Sequence, residues 1–218
     1  MEHYSQISTL TDRYPKLIVC REDIQKAFEI LCDAYSNGRK LLVCGNGGSA
    51  SDSEHIVGEL MKEFKLKREV FRDQAEAMKR IDPELGAVLA EHLQGALPAI
   101  SLTGQSSLTT AYMNDSQPEL VFAQQVNGYG KKGDVFLGIS TSGNSRNVLF
   151  AAVAAKAKGM KVIGLTGEKP CRLAALADIC IQVPETETYK IQELHLPVYH
   201  CLCLMLEENF FGNKSQQS

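Results

Sequence analysis

The chain has 218 residues, 44% hydrophobic and 22% charged, with a formal net charge of −3. This length fits one domain over 1–218, which buries roughly 70% of its unfolded surface and needs no covalent staples. The charge leaves no nucleic-acid footprint, so an anionic substrate has to be held by local donors rather than by a basic surface.

The N-terminal MEHYSQISTLTDRYPK has no apolar run of signal-peptide length, and no segment approaches the ~20 apolar residues of a membrane span. Seven cysteines without a CxxC spacing read as reduced thiols of a cytoplasmic protein. A helix is predicted over 16–35, stopping before Asn37-Gly38. The apolar run Lys40–Cys44 follows, the first of five with Leu97–Leu102, Asp134–Ser140, Lys161–Thr166 and Asp178–Val183. Each is short, rich in Val, Ile and Leu and bounded by Gly, Pro, Asp or Ser, as suits strands buried on both faces. Helical spacing follows the first run over 50–64. In the insertion at about 65–95, Phe71, Met78, Leu85 and Leu89 recur at helical intervals, and Asp82-Pro83-Glu84 marks a fresh helix start. Two helices separated by a turn are predicted there. A further helix is predicted over 147–158, with Gly159 as its stop, and a long apolar one over 188–210, kinked at Pro197. The tail 212–218 is expected to fray. Strands alternating with helices predict an α/β fold, a three-layer αβα sandwich around a parallel sheet.

Four groups of residues carry chemistry. Cys44-Gly45-Asn46-Gly47-Gly48-Ser49 is a glycine-rich turn between a strand and a helix, where backbone N–H groups converge on a ligand at the positive helix end. It matches neither GxGxxG nor GxxxxGK[ST], so no nucleotide cofactor is expected. Ser140-Thr141-Ser142-Gly143-Asn144-Ser145 gathers hydroxyls and an amide at a second strand-to-helix turn, which suits a phosphate without Lys or Arg. Both loops fall at strand C-termini, where open α/β sheets place their ligands. His55 and Glu59 share a helix face at i and i+4. Gln192 and His200, eight residues apart, share a face of the last helix, with His195 on an adjacent face. Taken singly, these are equally a tight turn, a helix cap at Ser145, a solvated surface pair and ordinary helix residues.

Together they resemble the SIS (sugar isomerase) domain phosphoheptose isomerases. The likeness rests on CGNGGSASDSEHIVGEL at 44–60, MND at 113–115, GDVFLGISTSGNSRNV at 133–148, KGMKVIGLTG at 158–167, ADICIQVP at 177–184 and IQELHLPVYH at 191–200. It implies a five-stranded flavodoxin-like sheet, a homotetramer with sites at subunit boundaries, and conversion of sedoheptulose 7-phosphate to D-glycero-D-manno-heptose 7-phosphate. It further implies that Asn46, Gly47, Gly48, Ser49 and Gln192 line the sugar, that Asn114 and Asp115 meet its hydroxyls, and that Ser140, Thr141, Ser142 and Ser145 hold the phosphate. Glu59 resembles the family's base, which also touches substrate, and His200 its acid. His55, Glu59, Gln192 and His200 match positions that bind zinc in several members, one ion per subunit.

Two departures stand out: Tyr189 and Lys190 replace an acidic residue and Arg, and Pro197 interrupts the last helix. The alternatives are an isomerase of another sugar phosphate, or a non-catalytic relative that binds a phosphosugar or a replication initiator. Relatives without catalysis generally lack the glutamate and the last-helix histidine, and this chain keeps both. No nucleic-acid or membrane partner is expected.

Overall fold

The structure, a computed structural model, describes residues 5–212. Apart from Gly212, the tail expected to fray lies outside the described residues. Five parallel strands form one sheet in the order β2-β1-β3-β4-β5. They are β1 (Leu41–Cys44), β2 (Ala99–Ser101), β3 (Val135–Ile139), β4 (Lys161–Gly167) and β5 (Ile179–Val183). This is the flavodoxin-like order, in which the chain reverses its direction of winding between β1 and β3.

Alternate strand residues feed two cores. Leu41, Val43, Val135, Leu137, Ile163 and Leu165 face α1 (Ser5–Arg13), α2 (Arg21–Ser36), α3 (Gly48–Met61) and α10 (Thr188–Phe211). Leu42, Cys44, Phe136 and Val162 face α7 (Val121–Tyr129), α8 (Arg146–Ala157) and α9 (Arg172–Leu176). Burial on both sides is why these runs are continuously apolar rather than alternating. Gly138 lets α8 sit close to the sheet, since a Cβ there would come within 2.8 Å of Val148 Cγ1.

The single helix predicted over 16–35 is two elements. Pro15–Cys20 is a 3₁₀ segment and α2 begins at Arg21. Leu17 and Cys20 are buried while Ile18 and Val19 are exposed, a three-residue interval that a 3₁₀ turn satisfies. The preceding helix α1 was not predicted from the sequence. The helix expected over 50–64 starts earlier, at Gly48, and ends earlier, at Met61, because Lys62 is extended. The insertion forms α4 (Arg72–Ile81) and α5 (Pro83–His92), with the Asp82 side chain accepting from the N–H groups of Glu84 and Leu85. Gly86 allows the two to touch, as a Cβ would meet Met78 O at 2.3 Å. A bridge between Glu69 and Gln94 closes the base of this hairpin. The remaining helix, α6 (Ser106–Asp115), follows β2. Helix α10 continues through Pro197, which is buried. Among the described residues no helix is long and apolar enough to cross a membrane.

Candidate active site

The glycine loop and the serine loop leave β1 and β3 side by side at the point where the winding reverses. In the glycine loop, Gly47 takes φ +56°, a left-handed conformation that glycine adopts without strain. Gly45 sits so close to the first turn of α3 that a Cβ would meet Ser49 O at 2.5 Å. Asn46 is tied to Asn147, in the first turn of α8, by two reciprocal amide bonds of 3.0 and 2.8 Å. The two loops are therefore clamped at a fixed spacing.

The serine loop is shaped from below. Gly143 (φ +62°) packs against Cys171, Asn144 Oδ1 accepts from the Arg172 N–H (3.1 Å), and Gly167 N donates to Thr141 O. Ser145 occupies the N-cap of α8, but its side chain makes no cap bond; its Oγ lies 3.0 Å from Ser140 Oγ. Ser142 and Asn144 are exposed.

Helices α3 and α10 bring the titratable residues together. His55 Nε2 is 3.1 Å from Glu59 Oε1, and the rings of His55 and His200 meet edge-on, 5.0 Å between centroids. Glu59 is buried, with Lys62 Nζ 3.6 Å from Oε2. That Oε2 and His200 Nε2 are both shut off from solvent without a hydrogen-bond partner. Burial first, then the neighbouring His55, holds the His200 pKa below its ordinary 6.5, while Glu59 opposes the shift. Gln192, two turns ahead of His200, lies against the glycine loop, where a Cβ on Gly48 would come within 2.5 Å of its Nε2. Asn114 and Asp115 end α6, exposed and bonded to each other (2.9 Å). A groove of about 460 Å³ between α1 and α10 has His200 and Phe64 in its wall, and neither loop lines it.

Two imidazoles, a carboxylate and an amide oxygen are donors of the kind zinc accepts. Among the described residues no three His, Cys, Asp or Glu side chains converge as a metal cage. The two orphaned atoms and the short His55–Glu59 gap nevertheless fit an ion in kind.

Sequence reasoning passed over five residues that build the site. Asn147 clamps the loops. Asp52 and Tyr199 bond in line with His55: Tyr199 OH is 3.0 Å from His55 Nδ1 and 3.3 Å from Asp52 Oδ1. Arg68 and Glu207 brace the end of α3. Asp52 lies three residues before His55 on one helix face, which was a usable signal; Arg68 and Glu207 left none in a charged stretch and a helix tail.

The family model of the SIS domain matches residues 7–80 and 74–167. A phosphoheptose isomerase of a Nitratiruptor species is 42% identical over 190 residues, 87% of this chain and 88% of its own. The chain belongs to the SIS-domain phosphoheptose isomerase family. Its likeness to the phosphoheptose isomerase of Akkermansia muciniphila extends over 208 residues at 35% identity, 95% of this chain and 96% of that one. The solved phosphoheptose isomerase of Neisseria gonorrhoeae superposes with a TM-score of 0.71 at 32% identity, covering 95% of this chain and 96% of that one. Membership of this family makes the chain a phosphosugar isomerase of the aldose–ketose type, an intramolecular oxidoreductase.

Proposed function

We propose that the chain interconverts sedoheptulose 7-phosphate and D-glycero-D-manno-heptose 7-phosphate, with Glu59 as base and His200 as acid. The observation that carries this reading is the pair of buried atoms left without a hydrogen bond, Glu59 Oε2 and His200 Nε2, on helices that meet through the His55 ring. A buried polar atom without a hydrogen bond calls for a partner, and open α/β sheets bind their ligands at the C-terminal ends of their strands.

The reaction moves one proton between neighbouring carbons. Glu59 takes the proton from C1 of the ketose as the C1–C2 enediol forms, then returns it to C2. His200 moves the hydroxyl proton between O1 and O2, so no external oxidant or reductant is consumed. The phosphate sits on Ser140, Thr141, Ser142 and Ser145 at the positive end of α8. Asn46, Gly47, Gly48, Ser49 and Gln192 line the sugar, and Asn114 and Asp115 meet its hydroxyls. His55, Glu59, Gln192 and His200 would hold one zinc per subunit, which when bound supplies polarisation of the carbonyl.

The working form is a homotetramer in the cytoplasm. Support for assembly comes from the α4–α5 hairpin, where Ile81, Leu85, Val88 and Leu89 are exposed and α4 has no buried residue.

The deciding experiment incubates the purified protein in D₂O with a panel of ketose and aldose phosphates, with and without zinc. Deuterium entering C2 of the heptose phosphate supports the reading. Exchange into a different sugar only would move the substrate and keep the chemistry, and no exchange into any of them would reject it.

A further inference from the structure

We propose that the α4–α5 hairpin is a two-fold docking surface: α5 of one copy packs antiparallel on α5 of a second copy of this chain, with Leu85 against the partner's Leu89 and Leu89 against the partner's Leu85. This deepens the assembly proposed above and rests on none of the isomerase chemistry.

The hairpin lacks packing of its own. Its helices have 10 residues each, a length that is marginal in water without tertiary contacts. Yet α4 has no buried residue, and the buried residue of α5, Gly86, has no side chain. Leu85, Val88 and Leu89 recur at i, i+3 and i+4 along α5, all of them exposed, and so form one apolar stripe. Ile81, 87% exposed, extends the stripe just before α5, and Leu93, 44% exposed, just after it. A contiguous exposed stripe of this kind marks an interaction surface. The base of the hairpin is fixed to the body: Gly95 N donates to Arg68 O at 2.9 Å, and Glu63 N donates to Gln94 Oε1 at 2.8 Å.

Self-complementarity names the occupant. A two-fold contact pairs residue i with j and j with i. An antiparallel pairing centred midway between Leu85 and Leu89 does this along the whole stripe. Leu85 meets the partner's Leu89, Ile81 meets the partner's Leu93, and Val88 lies near the axis. The same register sets His92, exposed in the last turn of α5, beside the partner's Asp82. Asp82 takes the N–H groups of Glu84 and Leu85 on Oδ1, at 3.0 and 2.8 Å, which leaves Oδ2 for an imidazole N–H. Each α5 N-terminus also lies beside the partner's C-terminus, where the helix dipoles attract. Glu84 and Glu91 fall roughly 100–120° around the helix from Leu85, at the wet rim of the contact.

The test measures the mass of the full chain by light scattering as it leaves a sizing column. Leu85→Lys and Leu89→Glu each place charge inside the contact and should halve the assembled mass of the wild type. Circular dichroism checks that each variant stays folded, as both side chains are exposed. Mixed one to one, the two variants set an ammonium against a carboxylate on one side of the axis and restore the leucine pair on the other. The mixture should recover the wild-type mass. Variants that each keep the wild-type mass, or a mixture that stays at half of it, overturn this pairing and leave a tetramer standing. A wild type of two chains that falls to one in both variants and recovers in the mixture supports the pairing and rejects the tetramer. A wild type of one chain rejects both.

Discussion

Arg68 and Glu207 form an ion pair inside the protein: Arg68 Nε donates to Glu207 Oε1 at 2.8 Å, and each residue is 1% exposed. Further hydrogen bonds surround the pair. Arg68 also donates to the carbonyls of Leu60 and Glu59, and Glu207 accepts from the N–H groups of Phe64, Lys65 and Leu66. The guanidinium thus stops the last turn of α3 and holds the backbone of Glu59, while Glu207 stands two turns beyond His200 on α10. One network ties together the helices that carry the proposed base and the proposed acid.

Removing one partner should cost more than removing both. Glu207→Leu leaves a buried guanidinium unpaired and three N–H groups without acceptors, a loss of about 3–5 kcal/mol. The double variant Arg68→Met, Glu207→Leu should recover part of that. Urea unfolding of the three proteins measures it, and a double variant less stable than Glu207→Leu would contradict the account.

Glu59→Gln keeps shape and hydrogen bonding but removes the basic lone pair. It should fold normally, bind phosphate as before and lower kcat by at least ~10². His200→Gln should do the same. Metal content has to be measured in each before rates are compared, because both residues are proposed zinc ligands. Wild-type turnover by Glu59→Gln would remove it as the base.

The serine loop, proposed to hold the phosphate, predicts the complementary kinetic pattern. A Ser142→Ala, Ser145→Ala double variant should raise KM strongly for a sugar phosphate and leave the fold intact, because neither hydroxyl fills a core position or caps α8. Inorganic phosphate as a competitive inhibitor provides the direct check: unchanged inhibition would assign phosphate binding elsewhere.

Much of this molecule was legible in its sequence because parallel strands buried on both faces leave continuous Val, Ile and Leu runs. All five strands lie within or beside the runs that announced them, and Asp82-Pro83 marked the start of α5. Local signals failed where tertiary contacts decide. Pro15–Cys20 carries helix-compatible residues, yet Leu17 and Cys20 had to reach one core at a three-residue interval. The site divides in the same way. Its loops are local glycine and serine patterns, whereas the Tyr199–His55 bond joins residues 144 apart and the Arg68–Glu207 pair residues 139 apart. Of the histidines on α10, His200 is partly buried. His195 is the fully enclosed one.

His195 gives the last prediction. Burial pushes its pKa from 6.5 down to about 4, and an approach to the Thr166 backbone offsets this only in part. The unfolded chain therefore binds a proton between these two values that the folded protein does not. Stability rises with pH wherever the unfolded state holds more protons, so this contribution is complete above pH 6.5 and is lost as the pH falls towards 4. The span corresponds to a loss on the order of 3 kcal/mol at its lower end. Carboxylates titrate over part of the same range, so the comparison is between wild type and His195→Met, which fills the site with an unbranched side chain that cannot be protonated. Urea midpoints at pH 8, 6.5, 5.5 and 4.5 should fall more steeply for the wild type below pH 6.5, and the two curves should run parallel above it. Parallel curves over the whole range would show that His195 is protonated in the fold as readily as in the unfolded chain.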